Sequence, residues 1–292
     1  MQYRHSFHAG NFADVHKHIA LLALISALHR KAKGFLFLDT HAGEGLYDLA
    51  GADARRSAES EAGVTRLLAA AKQPPDVLAA PIQEYLHALA TLRERLGGNS
   101  HIYPGSPLLA AAAMREVDQC VFVETLAQQA RALQRVVDQP ELQVRTPVRV
   151  VSGDGYQQLK ALMPPVQRRG LVLIDPPYEN PDEERVIAAA FVEALARFET
   201  GVYALWYPIK KQHDTDLWLA RITRGIQQPV VTIEMCVTEP DSAVGLNGSG
   251  MLVINPPWQF DVDAAGWQPQ LHDLLDGKSG TRVQWLVNEA GR

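Results

Sequence analysis

The chain of 292 residues is 47% hydrophobic and carries a formal net charge of −5 at pH 7. This length and apolar fraction predict a globular protein with a large core, whereas the negative charge disfavours a protein that binds nucleic acid over its whole surface. The two cysteines, Cys120 and Cys236, predict neither a disulfide framework nor a Cys-rich zinc site. Because no apolar run could span a bilayer and the N-terminus has no apolar signal core, we expect a cytoplasmic protein without a membrane segment.

The first predicted elements are an amphipathic helix and a buried strand. Apolar residues recur at helical spacing over residues 15–28, with Asp14 near the N-cap and Gly34 after the end. The apolar run at residues 35–38 then predicts a strand, which ends at Asp39 and leads into a turn that contains glycine.

The segment that follows interrupts this alternation of helices and strands. Residues 53–98 are rich in Ala, Leu, Glu and Arg and are broken at Pro74 and Pro75, which predicts helices without a strand. We therefore expect residues 53–98 to form an inserted helical subdomain, with residues 1–52 and 99–292 as the core.

Strands alternate with helices again from Gly105 onward. Ser106 is predicted to cap a helix in which Pro107 takes the first helical position. Such alternation predicts an α/β fold with a parallel sheet covered on both faces. The further predicted strands are residues 119–123, 148–152, 171–174, 202–206, 230–235 and 251–254, of which the last closes the series.

Four of the predicted strands end at or next to an acidic residue. These residues are Asp39, Glu124, Asp154 and Asp175. Ligands of doubly wound sheets bind outside the carboxyl ends of the strands. One acid at a strand end is unremarkable, but four in succession predict a sheet edge that receives polar ligands.

The most informative motif is Asp175, Pro176, Pro177 and Tyr178, directly after an apolar strand. The prolines fix the backbone and remove two amide donors, so the Pro176 carbonyl is free to accept a hydrogen bond. Together with the Asp175 carboxylate it suits a planar amino group with two N–H donors, and Tyr178 offers a flat face for a base. These acceptors would stabilise the positive charge that builds on an adenine N6 during methyl transfer.

A second Pro-Pro motif has the same pattern as the first. Asn255, Pro256, Pro257 and Trp258 also follow a predicted strand and end in an aromatic residue. Because no glycine-rich cofactor turn with suitable acids precedes this motif, we interpret it as a structural turn.

The turn after the first strand, Asp-Thr-His-Ala-Gly-Glu-Gly at residues 39–45, predicts close approach of the backbone to a cofactor. It lacks a full dinucleotide fingerprint and has His41 where glycine is common, which favours S-adenosylmethionine. Glu124 is predicted to accept the ribose hydroxyls, and Asp154 with Gly155 to meet the adenine ring. Each acid alone is more typical of a surface cap.

The histidines near the N-terminus could suggest a metal site, but no cysteine or carboxylate set accompanies them at ligand spacing. We therefore expect no metal. These histidines are better suited to polar contacts with the cofactor or with phosphate. They are His5, His8, His16 and His18.

Several sequence blocks together resemble the ribosomal large-subunit methyltransferase J family. The most specific is Tyr-Arg-His-Ser-Phe-His-Ala-Gly-Asn at residues 3–11, followed by Asp-Val and Lys-His. The similarity extends over nearly the whole chain and is weakest in the helical insertion. The other blocks lie at residues 38–43, 103–107, 175–178 and 248–258.

The resemblance implies a Rossmann-like class I S-adenosylmethionine-dependent methyltransferase core with an inserted helical subdomain. It implies methylation of adenine N6 in 23S ribosomal RNA, with Asp175 catalytic and Tyr3 in contact with the RNA. We further expect Arg4, Lys17 and Tyr178 to hold the RNA, and the protein to be a monomer. The implied cofactor contacts are His18, His41, Ser106, Glu124, Asp154, Gly155 and Asp175.

Two other functions stay open at this point. A DNA adenine-N6 methyltransferase would use the same core and motif, but it should carry an added sequence-reading domain, which the chain does not show. A non-catalytic RNA-binding protein on this fold should have lost Asp175 or the cofactor acids, and this chain keeps them.

Overall fold

An eight-stranded sheet organises the computed structural model, which describes residues 5–74, 76–239, 242 and 245–288. A separate two-stranded ribbon is formed by β2 and β3. The strands in chain order are β1 (Leu36–Asp39), β2 (Leu46–Asp48), β3 (Ile102–Pro104), β4 (Gln119–Glu124), β5 (Val148–Ser152), β6 (Gly170–Ile174), β7 (Val202–Ile209), β8 (Val230–Cys236), β9 (Gly248–Ile254) and β10 (Gly280–Val287).

The helices pack on both faces of this sheet. Buried apolar side chains form one cluster on each face, as the prediction of an α/β fold with a covered sheet requires. The fold class is confirmed. The helices are α1 (Phe12–His29), α2 (Ala52–Ser57), α3 (Arg66–Ala70), α4 (Ala80–Arg95), α5 (Ser106–Ala113), α6 (Ala127–Val137), α7 (Gly155–Leu162), α8 (Glu183–Arg197), α9 (Gln212–Ile222) and α10 (Phe260–Leu274).

The strand order is β10-β8-β9-β7-β6-β1-β4-β5. The strands β5, β4, β1, β6 and β7 are parallel, as predicted. The prediction of a parallel sheet throughout is wrong, because β9 runs antiparallel to both β7 and β8. The described residues between β8 and β9 form no helix, and a short connection of this kind suits antiparallel neighbours. β10, which pairs antiparallel with β8, was missed by the prediction that residues 251–254 close the series.

Two predicted helix starts also need correction. α1 begins at Phe12 rather than near Val15, because the side chain of Asn11 accepts the Asp14 N–H at 2.8 Å and caps the helix. Asp14 lies inside the first turn. At α5 the N-cap is Gly105, and Ser106 is the first helical residue.

The chain between β2 and β3 is mostly helical and packs beside the sheet. It contains α2, a π-helical turn (Glu61–Thr65), α3 and α4, and a non-helical stretch separates α3 from α4 near Pro74. α4 lies against α1 and α5, while α3 and α4 both contact α10. We propose that residues 53–98 form the inserted subdomain, with the β2–β3 ribbon at its base.

Among the described residues, no helix is long and apolar enough to cross a membrane.

Candidate active site

The order of the strands reverses between β1 and β6. After β1 the chain continues to β4 and β5 on one side, and after β6 it continues to β7 on the other. Such a reversal opens a crevice at the carboxyl ends of the two central strands, where α/β proteins bind ligands. Asp39 ends β1 and Asp175 follows β6, so two of the predicted acids lie at this crevice.

The second turn of α1 brings a buried ammonium group to the same place. Lys17 Nζ lies 2.7 Å from Asp14 Oδ1 and 2.5 Å from Asp175 Oδ2, and its side chain is only 5% exposed. Burial by itself would lower the pKa of Lys17, but the carboxylates of Asp14 and Asp175 raise it above its ordinary value. The ammonium group therefore stays charged and fixes one oxygen of Asp175.

Asp14 anchors this arrangement from the helix side. Besides Lys17, it accepts hydrogen bonds from the Gly10 N–H at 3.0 Å and from His5 Nε2 at 2.9 Å. Burial acts to raise its pKa, but His5 and Lys17 hold the pKa well below the usual value. The sequence analysis named Lys17 as an RNA contact. The structure places its ammonium group between two carboxylates instead of on an open basic surface.

Asp39, at the end of β1, is fully buried behind the lining of the crevice. Its carboxylate accepts hydrogen bonds from Ser106 Oγ at 2.6 Å and from the His41 N–H at 3.2 Å. Burial nevertheless raises the pKa of Asp39 to about 7, so this group is partly protonated near neutral pH. The predicted cofactor residue Ser106 lines the cleft itself and is held by this hydrogen bond to Asp39.

A cleft of about 870 Å³, counting its open mouth, extends from these acids along the turn after β1. Gly43 has a φ of 63°, and a Cβ there would lie 2.3 Å from the hydroxyl of Tyr47, so only glycine fits. Its N–H donates to Glu124 Oε2 at 2.9 Å, and the Leu126 N–H donates to Oε1 at 2.8 Å. Burial raises the pKa of Glu124, although backbone hydrogen bonds to the carboxylate act to lower it.

Three of the predicted histidines, His5, His18 and His41, line this cleft. His18 Nδ1 lies 2.9 Å from the hydroxyl of Tyr103, and burial lowers the pKa of His18 to about 3. His41 Nδ1 lies 2.8 Å from Thr40 Oγ1, and burial lowers its pKa to about 4. Both rings are therefore neutral at physiological pH and offer polar contacts without charge.

Asp154 and Gly155 lie beside the cleft but are not among the residues that line it. Asp154 is exposed and caps α7 by accepting the Gln157 N–H at 2.9 Å. Gly155 packs so closely that a Cβ would lie 2.1 Å from the Thr40 carbonyl oxygen. A contact from Asp154 to the cofactor stays a prediction.

The loop from Asp175 to Tyr178 separates two cavities. Asp175 and Pro177 line the cleft described above, whereas Tyr178 lines a second cavity beside β7 and α9. The hydroxyl of Tyr178 donates to the Trp206 carbonyl at 2.5 Å, and its ring lies edge-on to those of Trp206 and Trp218. This orientation leaves base stacking by Tyr178 as a prediction.

The two acceptors predicted for a target amine are both available. Lys17 occupies only Oδ2 of Asp175, and no described residue donates to Oδ1. The carbonyl of Pro176 likewise accepts no hydrogen bond from the described part of the chain. The other predicted RNA contacts, Tyr3 and Arg4, lie outside the described residues.

The sequence did not indicate the roles of several residues in and behind the cleft. Asp39 was noted only as a strand-end acid, although its buried carboxylate holds the cleft residue Ser106. Asp14 lies three residues before Lys17, a spacing that places oppositely charged side chains together on a helix and could have indicated the pair. Tyr47, whose ring centroid lies 4.9 Å from that of the predicted residue His5, carries no such signal, because it reaches the cleft from the β2–β3 ribbon.

The residues that the structure describes contain no group of three or more His, Cys, Asp or Glu side chains that could hold a metal ion.

The comparisons with known proteins agree over most of the chain. A family model described as "Ribosomal RNA large subunit methyltransferase D, RlmJ" matches residues 32–287. The ribosomal RNA large subunit methyltransferase J of Escherichia coli K12 is 38% identical over 291 residues, which cover 99% of this chain and 100% of that protein. The protein of the same name from Haemophilus influenzae Rd is 36% identical over 296 residues, with the same coverage.

A solved structure is also similar along nearly its full length. Protein LPL1258 from Legionella pneumophila is 29% identical and matches with a TM-score of 0.81. The match covers 96% of this chain and 98% of that one.

Proposed function

The chain belongs to the RlmJ family of ribosomal RNA large subunit methyltransferases, and on that premise we propose that it transfers a methyl group from S-adenosylmethionine to the exocyclic N6 of an adenine in 23S ribosomal RNA. The observation that carries this proposal is the pair of free acceptors, Asp175 Oδ1 and the Pro176 carbonyl, at the reversal of strand order.

These acceptors suit an aromatic amine. The lone pair of an adenine N6 is delocalised into the ring, so the amine is a poor nucleophile. Hydrogen bonds from its two N–H groups to Asp175 and Pro176 favour a more tetrahedral nitrogen, whose electron density points away from the ring. Because the same bonds strengthen as positive charge builds on the nitrogen, they stabilise the transition state more than the ground state.

Lys17 orients the carboxylate for this purpose. By bonding Oδ2 and also Asp14, it holds the Asp175 side chain in one rotamer and directs Oδ1 into the crevice. Lys17 and the carboxylates of Asp14 and Asp175 together carry a net charge of −1 beside the amine. An anionic site favours both a cationic methyl donor and the cation that forms on nitrogen. After transfer, the surplus proton can leave through Oδ1 of Asp175 to water.

The cleft beside these groups fits S-adenosylmethionine. The Glu124 carboxylate accepts backbone N–H groups of Gly43, Leu126 and Thr125, and its two oxygens offer four acceptor sites, so one remains for a ribose hydroxyl. The tight turn at Gly43 lets the backbone approach a ligand closely. When bound, the cofactor supplies an electrophilic methyl group. The residues proposed to hold it are His18, His41, Ser106, Glu124, Asp154, Gly155 and Asp175.

The RNA substrate must present an adenine that has left its stack, because the amine has to reach Asp175 inside the crevice. We propose Tyr178 as the stacking residue and Tyr3 and Arg4 as RNA contacts. Lys17 acts on the RNA through Asp175, since its ammonium group is buried against that carboxylate.

The test is a transfer assay with labelled S-adenosylmethionine and with unmodified 23S ribosomal RNA or genomic DNA as acceptor. We expect label in the RNA, and we expect nuclease digestion followed by mass spectrometry to identify N6-methyladenosine. Label in DNA, or methylation at another atom, would overturn the assignment.

A further inference from the structure

The second cavity lies on the far side of the loop that carries Asp175. Its volume is about 780 Å³, counting its open mouth. It shares Tyr178 with the candidate catalytic motif, and its other walls come from the end of β7 and the start of α9. The lining residues are Tyr178, Tyr207, Pro208, Lys210, Lys211, Asp214, Thr215 and Trp218.

The length of β7 creates this cavity. Leu205 pairs with Ile174, the last residue of β6, but β7 continues for four more residues to Ile209. At roughly 3.3 Å per residue, Lys210 lies about 16 Å beyond Leu205 along the strand. The two lysines therefore stand above the same sheet edge that holds Asp175, and they face the outside of the crevice.

The charge of the cavity favours a polyanion. Lys210 and Lys211 are exposed, and neither forms an ion pair with a described residue. Asp214 is the only acid among the lining residues, which leaves one excess positive charge. This local cationic surface contrasts with the net charge of −5 of the chain. It is the kind of surface that contacts a phosphate backbone.

The apolar wall of the cavity is aromatic. Trp218 is half-buried, and its ring centroid lies 5.6 Å from that of Tyr207 and 6.0 Å from that of Tyr178. Tyr207 is held from behind by its hydrogen bond to Glu234 at 2.7 Å. A rigid aromatic surface beside lysines is the combination by which proteins bind unpaired nucleotides: bases stack on the rings and phosphates contact the cations.

We propose that this cavity binds an unpaired nucleotide of the RNA next to the target adenine. Its base stacks on Trp218, and Lys210 and Lys211 contact the backbone phosphates. The inference rests on the proposed function, since it takes the substrate to be RNA whose target base reaches Asp175. An RNA strand that delivers one base to Asp175 must pass over the Pro177–Tyr178 turn, which separates the two cavities.

The first experiment measures binding of a short fluorescent oligoadenylate by anisotropy over a range of salt concentrations. Lys210→Ala combined with Lys211→Ala should raise the Kd about tenfold and reduce the slope of log K against log salt by about 1.4, as expected for two lost single-strand phosphate contacts. The matched control is Lys31→Ala with Lys33→Ala, an equally exposed lysine pair in the segment after α1. This control should leave both quantities unchanged.

The second experiment tests the aromatic surface. Trp218→Leu should weaken oligoadenylate binding by between about fivefold and about a hundredfold, the range for loss of one base–aromatic stack. Trp218→Phe keeps a flat ring and should retain most of the affinity. Thermal melting and S-adenosylmethionine binding check that each variant is folded, and a loss of affinity equal in Leu and Phe variants would contradict stacking.

The outcomes separate this inference from the function on which it rests. If the wild type methylates RNA but the lysine variant binds oligoadenylate as the wild type does, the cavity assignment is wrong and the function stands. Equal losses in the control pair would show a general charge effect and would also overturn the assignment. Tighter binding of oligodeoxyadenylate than of oligoadenylate would reject RNA as the occupant. If no transfer to RNA occurs while the binding differences persist, the proposed function fails and the nucleotide site remains.

Discussion

The two Pro-Pro turns that begin at Asp175 and Asn255 share a sequence pattern but lie at opposite edges of the sheet. The turn at Asp175 follows β6, which is parallel to β1 and β7, and so it lies at the carboxyl edge. The turn at Asn255 follows β9, which is antiparallel to β7, and Ile254 pairs with Tyr203 near the start of β7. The second turn therefore lies at the amino edge, away from the cleft.

Their polar groups are used in different ways. The side chain of Asn255 donates to the carbonyls of Glu199 at 2.7 Å and Gly201 at 2.8 Å, and the residue has a φ of 54°. These contacts tie the end of β9 to the start of β7. The turn at Asp175 instead keeps Oδ1 and the Pro176 carbonyl free.

The comparison shows that a strand followed by a polar residue, two prolines and an aromatic residue does not define a catalytic site by itself. The direction of the strand within the sheet determines which edge the turn reaches. The partners of the first residue then determine whether its polar groups stabilise the fold or remain available to a ligand. Variants at both turns test this difference.

The largest effect is expected at Asp175. Asp175→Ala removes the acceptor for the amine and should lower kcat by at least about a hundredfold, the usual cost of losing a transition-state hydrogen-bonding group. The fold should persist, since Lys17 keeps its 2.7 Å contact with Asp14. The matched variant at the other edge, Asn255→Ala, should turn over normally per folded molecule. Single-turnover assays measure both, and similar rate losses at the two turns would contradict the comparison.

The next largest effect is expected at Glu124, at the carboxyl end of the neighbouring strand β4. Glu124→Ala should raise the Kd for S-adenosylmethionine about tenfold, as expected for lost hydrogen bonds to a charged group. Because these bonds are made in both ground and transition states, KM for the cofactor should rise more than kcat falls. Calorimetry measures the affinity, and an unchanged Kd would reject the ribose contact.

A smaller effect is expected on stability at the amino edge. Asn255→Ala should lower the free energy of unfolding by about 1–2 kcal/mol, because two carbonyls lose a donor and Ala tolerates a positive φ poorly. Asn255→Gly should lose less, since glycine adopts this backbone conformation freely. Urea unfolding measures the difference. If the alanine and glycine variants are equally stable, backbone strain does not contribute.

The pH dependence of stability sharpens the same contrast. Burial lowers the pKa of His18 at the carboxyl edge to about 3, whereas an exposed histidine titrates near 6.5. The unfolded chain therefore binds more protons between these values, so stability falls as pH drops through this window. In His18→Gln the slope of the free energy of unfolding against pH should decrease by the equivalent of about one proton. Asn255→Ala should lower the free energy of unfolding at every pH without changing this slope.

The comparison with the wild type is needed because another group opposes this trend. Burial raises the pKa of Asp39 to about 7. A carboxyl group whose pKa is raised by folding stabilises the folded protein less as the pH rises. Asp39 makes this contribution equally in the wild type and in His18→Gln. Denaturant unfolding between pH 4 and 7 measures the slopes, and equal slopes for His18→Gln and the wild type would show that His18 titrates normally.

The smallest effect is expected at Trp258, which matches Tyr178 in sequence but is 66% exposed. Its contact with the Arg30 guanidinium runs through the backbone carbonyl, which survives substitution. Trp258→Ala should therefore change stability by no more than about 0.5 kcal/mol and leave transfer unchanged. Tyr178→Ala should reduce transfer, and equal activity of the two variants would remove Tyr178 from the proposed site.

The sequence was sufficient for the elements whose pattern is local. Apolar runs that end in an acid predicted β1, β4, β5 and β6, and the structure confirms these strands. The alternation with helices predicted the α/β class, and the sequence blocks identified the family that the comparisons confirm. These features depend on residues close together in the chain, so they can be recognised without a three-dimensional structure.

Tertiary structure decided the direction of β9, the partners of Lys17 and the side of the loop on which Tyr178 lies. Lys17 and Asp175 are 158 residues apart, and their 2.5 Å contact exists only because α1 packs against β6. Asp154, with the same local pattern as Glu124, remains an exposed helix cap. Strand direction, burial and charge pairing arise from contacts between distant segments, and the energy of a charge depends on the partners and solvent that those contacts provide.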